Sequence, residues 1–182
     1  MAAKSARESI LEAAEAIVVE QGASFMTMDA VAARTGVSKG GLIYHFPSQE
    51  SLMSALIQRF TDHLQQRREE IRASLPESPA RDLVSYILAR GDCAAEACRM
   101  GGGLMAAAMR APQLVEPAKA ACKKAIEQIL QGAENRSRLM VLVLAADCIW
   151  LIRLLGMQAF TDEELGQMRD EIVKLAYEWG GG

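Results

Sequence analysis

Residues 27–46 read T-M-D-A-V-A-A-R-T-G-V-S-K-G-G-L-I-Y-H-F, and the order of caps, glycines and apolar residues in them decides the fold. Thr27 is placed as an N-cap with Asp29 in the first turn behind it, and Gly36 ends the short helix that follows. Ser38 then caps a second short helix that runs to Tyr44 or His45. Two short helices joined by a tight glycine-containing turn form a helix-turn-helix, whose second helix enters the DNA major groove by its N-terminal residues. Gly40 and Gly41 look out of place there, since each costs about 1 kcal/mol of helix propensity relative to Ala. They make sense if bare backbone at the leading edge of the helix is what lets it approach bases and phosphates closely.

The neighbouring segments support the same architecture. Before it, Ile10, Leu11, Ala14, Ile17 and Val18 recur at steps of three and four, which predicts a helix over residues 4–21 closed by Gly22. After it, Pro47 and Ser48 stop the chain and cap a long helix in which Leu52, Leu56, Phe60 and Leu64 lie four apart, continuing through Ile71 to Pro76. A fifth helix is expected to open at Pro79 and end at or before Gly101-Gly102-Gly103, with a short piece over residues 104–110. Pro112 opens another helix, with Val115, Ala118, Cys122, Ala125, Ile126 and Ile129 on one face. Asn135 is expected to cap a long apolar helix to about Met157, and the capping box T-D-E-E at residues 161–164 a last one to near Trp179. No segment alternates as a strand does, so the fold is expected to be all-α with about nine helices. It divides within the fourth helix into residues 1–48 and a larger helical domain, residues 49–182.

Composition excludes several functions. A chain of 182 residues that is 51% apolar can bury a sizeable core. Its net charge of -3 gives no global positive field, and within residues 1–50 Lys4, Arg7, Arg34 and Lys39 face Glu8, Glu12, Glu15, Glu20, Asp29 and Glu50. Any DNA site is therefore local and depends on geometry and helix N-termini. The N-terminus lacks a signal-peptide pattern, so a cytoplasmic protein is expected. Asp147 and Arg153 interrupt the apolar run 139–157, which reads as a core or interface helix, not a membrane span. Cys93, Cys98, Cys122 and Cys148 lack zinc-site spacing; they are expected as reduced, buried thiols, with redox pairing of Cys93 and Cys98 the minority reading. Lys39 precedes its glycines, the wrong order for a phosphate loop. No catalytic motif follows Phe60, and neither a metal nor a cofactor is expected.

On the second short helix Lys39 supplies a cation, and Tyr44 and His45 supply polar tips within reach of phosphate oxygens, while Thr27 could hold the flanking backbone. The plain alternative makes these a surface charge, edge-of-core residues and a cap. The stretch T-M-D-A-V-A-A-R-T-G-V-S-K-G-G-L-I-Y-H-F-P-S-Q-E-S-L closely resembles the DNA-binding signature of the TetR family of transcriptional regulators, over residues 5–60. The resemblance implies a homodimer whose paired recognition helices read a palindromic double-stranded operator, and a divergent C-terminal domain that binds a small-molecule effector and releases DNA. It places DNA contacts on Thr27, Ser38, Lys39, Gly40, Ile43, Tyr44 and His45, with Gly41 at the close-approach edge. Gln49 departs from the family, which often has a phosphate-binding Lys there. Gln releases no counterion, so weaker or less salt-sensitive binding is expected, partly restored by Lys4, Arg7 and Arg34.

In the larger domain Asp147, Trp150 and Arg153 are three apart in an apolar helix and project to about one face. They either pair with other helices or pack at a dimer interface, or they line a pocket with Tyr86, Arg90 and Met105 that orients a ligand. By family analogy residues 136–179 form a four-helix dimer interface, for which Leu142, Ile149, Leu165, Met168, Ile172 and Leu175 are apolar enough. The expectation is thus a dimeric, DNA-binding repressor released by a small molecule, with the long fourth helix as lever. The alternative is a helical dimerisation or protein-interaction module that has lost DNA binding.

Overall fold

A computed structural model describes residues 5–91, 94–109, 111–157 and 159–180. Among them the regular elements are all helical: α1 (Ala6–Gln21), α2 (Met28–Thr35), α3 (Lys39–His45), α4 (Gln49–Ser74), α5 (Arg81–Gly91), α6 (Ala95–Ala108), α7 (Glu116–Leu130), α8 (Arg136–Leu154) and α9 (Asp162–Gly180). Short 3-10 turns lie at Ala23–Phe25 and Pro112–Val115. The chain packs as two compact units: residues up to Thr61 with Arg99–Ala118, and Asp62–Cys98 with the chain from Lys119 onward. Helix α4 contributes to both, so packing divides the chain at other points than the sequence-based division at residue 48.

The first unit is built on the apolar faces anticipated from spacing. Ile10, Ala14 and Ile17 of α1 meet Val31 of α2, Leu42 of α3, Phe46, and Leu52 and Leu56 of α4 in one buried cluster. Ser5 caps α1 by accepting from the Glu8 amide at 3.2 Å. Met100 and Leu104 of α6 join this core, which the sequence did not reveal. The glycine triplet 101–103 was expected to end a helix and instead lies inside α6. A Cβ at Gly103 would stand 2.8 Å from the Val18 Cγ1, so the α6 backbone lies against α1 where only glycine fits. Close packing there outweighs the propensity cost that made the triplet look like a breaker.

In the second unit α5, α8 and α9 pack on one another around Leu83, Val84, Ile87, Leu142, Val143, Ala146, Ile172 and Ala176, with Ala125, Ile129 and Leu130 from α7. The capping box of α9 forms as expected: the Glu164 amide donates to Thr161 Oγ1 at 3.2 Å and the Thr161 amide to Glu164 Oε2 at 2.7 Å. The expected cap of α8 does not. Asn135 sits at φ -99 and ψ 46, outside the extended region that aims a capping side chain at the next amides, and it makes no cap bond. Arg136 instead donates to the Leu130 carbonyl at 2.9 Å, tying α8 to the end of α7.

The cysteines also need correction. Cys98 is buried but disulfide-bonded, Cys122 is a partly buried free thiol, and Cys148 is an exposed one. Cys93 lies outside the described residues. Apart from Asp147 the residues flanking Cys148 in α8 are apolar, so periodicity did not orient the thiol. Among the described residues no helix is long and apolar enough to cross a membrane, and no group of three or more His, Cys, Asp or Glu is placed to hold a metal ion.

Candidate functional site

The helix-turn-helix is held by local bonds that its sequence specifies. The Thr27 hydroxyl accepts from the Ala30 amide at 3.1 Å, and Ser38 accepts from Gly41 at 3.1 Å, so both expected caps are made. Gly36 ends α2 in the left-handed conformation, φ 71, with its amide donating to the Ala32 carbonyl at 3.0 Å. Thr35 braces the turn: its hydroxyl donates to Val31 O at 2.9 Å and accepts from the Val37 amide at 3.2 Å. Reading T-G-V-S only as a glycine turn missed that role.

These bonds fix which face of α3 is free. Leu42 and Phe46 point into the core, while Lys39, Gly40, Ile43 and Tyr44 point outward with Ser38 and Thr27 also exposed. Ile43 is 47% exposed and Tyr44 83%. Side chains of this kind on a two-turn helix contribute little to the core and are available to a partner. His45 is half-buried, its ring edge-on to Tyr44 at 5.1 Å. The glycines separate into two cases. A Cβ at Gly40 would meet nothing within 4 Å, whereas at Gly41 it would come 3.0 Å from Val37 Cγ1 and 3.3 Å from Ser38 Oγ. Gly41 lets the turn close; Gly40 alone has no internal reason and leaves the outer edge bare.

The charges around this face are mostly matched. Lys39 Nζ lies 2.8 Å from Asp29 Oδ1, both exposed. Arg34 grips Glu20 with two bonds of 2.7 and 2.6 Å, and that hydrogen bonding holds the Glu20 carboxyl below its ordinary range. Arg59 bridges Glu8 and Glu15 at 2.6 and 2.8 Å. The Arg7 guanidinium stacks 5.2 Å above the Phe46 ring, and Lys4 lies outside the described residues. Exposed Gln49 opens α4 behind a reciprocal cap, Ser51 N to Ser48 Oγ and Ser48 N to Ser51 Oγ, each 3.1 Å. The partner Ser51 is visible in P-S-Q-E-S but stands where the usual motif has Glu or Gln.

In the second unit four of the expected ligand residues come together. The buried Tyr86 donates its hydroxyl to Asp147 Oδ1 at 2.7 Å and accepts from Arg90 at 3.3 Å; Arg90 Nε lies 3.2 Å from the same carboxylate oxygen. Arg90 stacks 4.1 Å over Trp150 and 5.1 Å over Tyr86. Burial pushes the Tyr86 phenol well up, so it stays a neutral donor. Arg153, one turn beyond Trp150, donates to the Gly91 carbonyl at 2.9 Å and so ties α8 to the end of α5. Met105 belongs to the first unit, half-buried in α6.

One residue of this cluster was missed. Arg68 of α4 is 3% exposed, its guanidinium 5.8 Å from the Tyr86 ring centre. The signal was present: position 68 continues the four-residue series 52, 56, 60, 64, but a run of charges, Q-Q-R-R-E-E at 65–70, hides it as a solvated surface.

Residues 10–56 match the sequence profile of the bacterial regulatory proteins of the tetR family, and residues 80–177 match that of the tetracyclin repressor-like C-terminal domain. The chain belongs to the TetR family. No curated protein matches its sequence significantly. Among solved structures it is similar to a transcriptional regulator from Rhodococcus sp. Rha1, 20% identical, covering 96% of this chain and 97% of that one with a TM-score of 0.75. It is also similar to a TetR-family member from Streptomyces coelicolor A3, 23% identical, 91% and 96% covered, TM-score 0.69. A third is the multidrug binding protein EbrR complexed with imidazole, 22% identical, 93% and 96% covered, TM-score 0.68. At such identities these structures speak for the fold.

This TetR-family regulator also carries an exposed apolar stripe on its second unit. Met140, Val141, Leu144 and Leu151 of α8 and Leu155 just after it are 41–66% exposed, and Met168 and Tyr177 of α9 are open as well. Of the residues expected at a subunit interface, Leu142, Ile149, Leu165 and Ile172 are instead buried in the unit's own core, Leu175 is partly buried there, and Met168 is exposed. Because α8 is apolar over most of its circumference, its sequence could not say which apolar face turns inward.

Proposed function

We propose that this DNA-binding regulator is a homodimeric repressor that grips a palindromic operator through α3 and is released by a small molecule. The observation that carries the DNA reading is the outward face of α3, where Ile43 and Tyr44 are exposed beside Lys39 and Gly40. Lys39, Tyr44 and His45 reach phosphates, Thr27 and Ser38 present helix N-termini to the backbone, Gly41 closes the turn, and Gly40 with Ile43 meets the base edges. In this reading residues 1–48 bind DNA and residues 49–182 bind the effector and the second subunit through the α8 stripe. Tyr86, Arg90, Asp147, Trp150 and Arg153 surround the effector; Met105 is assigned there on sequence grounds alone. The protein acts in the cytoplasm without catalysis.

The second reading, a dimerisation or interaction module without DNA binding, has in its favour that Lys39 and Arg34 already hold carboxylates. Exposed ion pairs are weak, about 0–1 kcal/mol, and a phosphate can replace Asp29 at Lys39 at little cost. Fluorescence anisotropy on duplex DNA from upstream of the gene separates the two. Lys39→Ala and Tyr44→Ala are each expected to weaken binding by about ten-fold or more, the size of one charge-assisted hydrogen bond. No binding at low salt, or binding indifferent to both substitutions, contradicts the repressor.

A further inference from the structure

We infer that the effector is an organic anion with a carboxylate and an apolar body, and that Arg68 of α4 is the side chain that binds it. This deepens, and rests on, the effector part of the proposed function.

Arg68 is buried to 3% exposure, yet none of its three guanidinium nitrogens makes a hydrogen bond among the described residues. A guanidinium carries five donors and does not give up its charge, so an interior site that satisfies none of them is unfavourable for folding alone. Asp82 does not fill the role. Its Oδ1 is taken by Arg72 Nε at 2.7 Å, and Arg68 reaches the same oxygen only to 3.7 Å. Arg68 and Arg72 thus share Asp82 while Arg90 and the Tyr86 hydroxyl hold Asp147, which leaves one guanidinium over. Glu69, next to Arg68 on α4, is exposed and engaged with Gln65.

The other unsatisfied groups have the same sign. Trp150 Nε1 and Arg153 Nε are buried donors without acceptors, and Ser78 Oγ can donate as well. Among the described residues of this unit, every buried side-chain group left without a partner can thus be met by an acceptor. A cationic effector would add to the surplus, because Asp147 already takes the Tyr86 hydroxyl and Arg90. A carboxylate matches the guanidinium fork in two parallel bonds, and the rings of Tyr86 and Trp150 suit an apolar body. Burial also weakens Arg68's hold on its proton, which an adjacent anion would reverse. Arg68 lies on the helix that begins at Gln49, directly after the helix-turn-helix, so an anion that draws it acts on the lever itself.

The test titrates octanoate and benzoate, their uncharged counterparts octanol and benzyl alcohol, and choline into the full chain, followed by calorimetry and thermal unfolding. At least one carboxylate is expected to bind saturably, and the alcohols and choline about ten-fold or more weaker. Arg68→Met is expected to weaken the carboxylate by about ten- to hundred-fold, with Arg68→Lys between. The ligand-free Arg68→Met protein should unfold no earlier than the wild type, since an apolar chain replaces an unbonded buried charge. Carboxylates no better than alcohols, binding unchanged by Arg68→Met, or a ligand-free Arg68→Met protein that melts well below wild type would overturn the inference. DNA release is read separately. Release by choline or an alcohol but by neither carboxylate overturns the anion while keeping the ligand-released repressor; a carboxylate bound through Arg68 that leaves DNA affinity unchanged supports the site and overturns release.

Discussion

Gly40 and Gly41 are adjacent and identical, yet the space around them assigns them different work. Gly41 has Val37 and Ser38 at contact distance, and Gly40 has open space. Gly40→Ala should therefore stabilise the folded chain by up to about 1 kcal/mol through helix propensity, read as a higher midpoint in urea, and at the same time weaken DNA binding. A substitution that raises stability and leaves DNA affinity intact would remove the bare edge as a functional feature. Asp29 offers a complementary residue-scale prediction. Replacing it with Asn frees Lys39 from a pair worth about 0–1 kcal/mol and removes a negative charge from the DNA-facing side, so affinity should rise about two- to five-fold at low salt, with less effect at high salt. At this scale the sequence was informative for caps and apolar faces: Thr27, Ser38, Leu42 and Phe46 stand as their patterns required. It could not show that Lys39 and Arg34 are paired, because Asp29 and Glu20 reach them only through the packing of α1, α2 and α3.

Helices whose ends carry side-chain caps were legible, and those ended or interrupted for tertiary reasons were not. The α6 glycines illustrate the difference: local propensity reads them as a stop, while the approach to Val18 requires one of them. Gly103→Ala should thus destabilise, by about 1–3 kcal/mol as overpacking does, although alanine is the better helix former; a chemical denaturation midpoint that rises instead would show that α6 can shift away. The same contrast holds for charge. Arg68 sits on the apolar series of α4, but a side chain flanked by Gln, Arg and Glu looks solvated until α5 covers it.

For the whole molecule, two properties follow from the distribution of charge and apolar surface. The exposed α8 stripe is the surface that a second copy would cover, so Leu144→Asp, at a position 66% exposed, should leave the subunit folded but shift it to monomer in sedimentation velocity. The DNA-binding unit holds Arg34 and Lys39 in ion pairs and has Gln49 where a lysine would release a counterion. Its binding should depend weakly on salt, and Gln49→Lys should steepen the log–log slope by about 0.9 per subunit. The family and the all-helical architecture were legible from residues 27–46 and the caps around them. The packing units were not, since residues 99–118 join the first unit through contacts distant in sequence. The most direct test of the account is selection of bound duplexes from a random DNA pool by the full chain. An inverted repeat with half-site centres one helical turn, about 34–36 Å, or a multiple apart should be enriched by the wild type and lost with Lys39→Ala and Tyr44→Ala combined; no enrichment, or the same repeat enriched by the double variant, would contradict it.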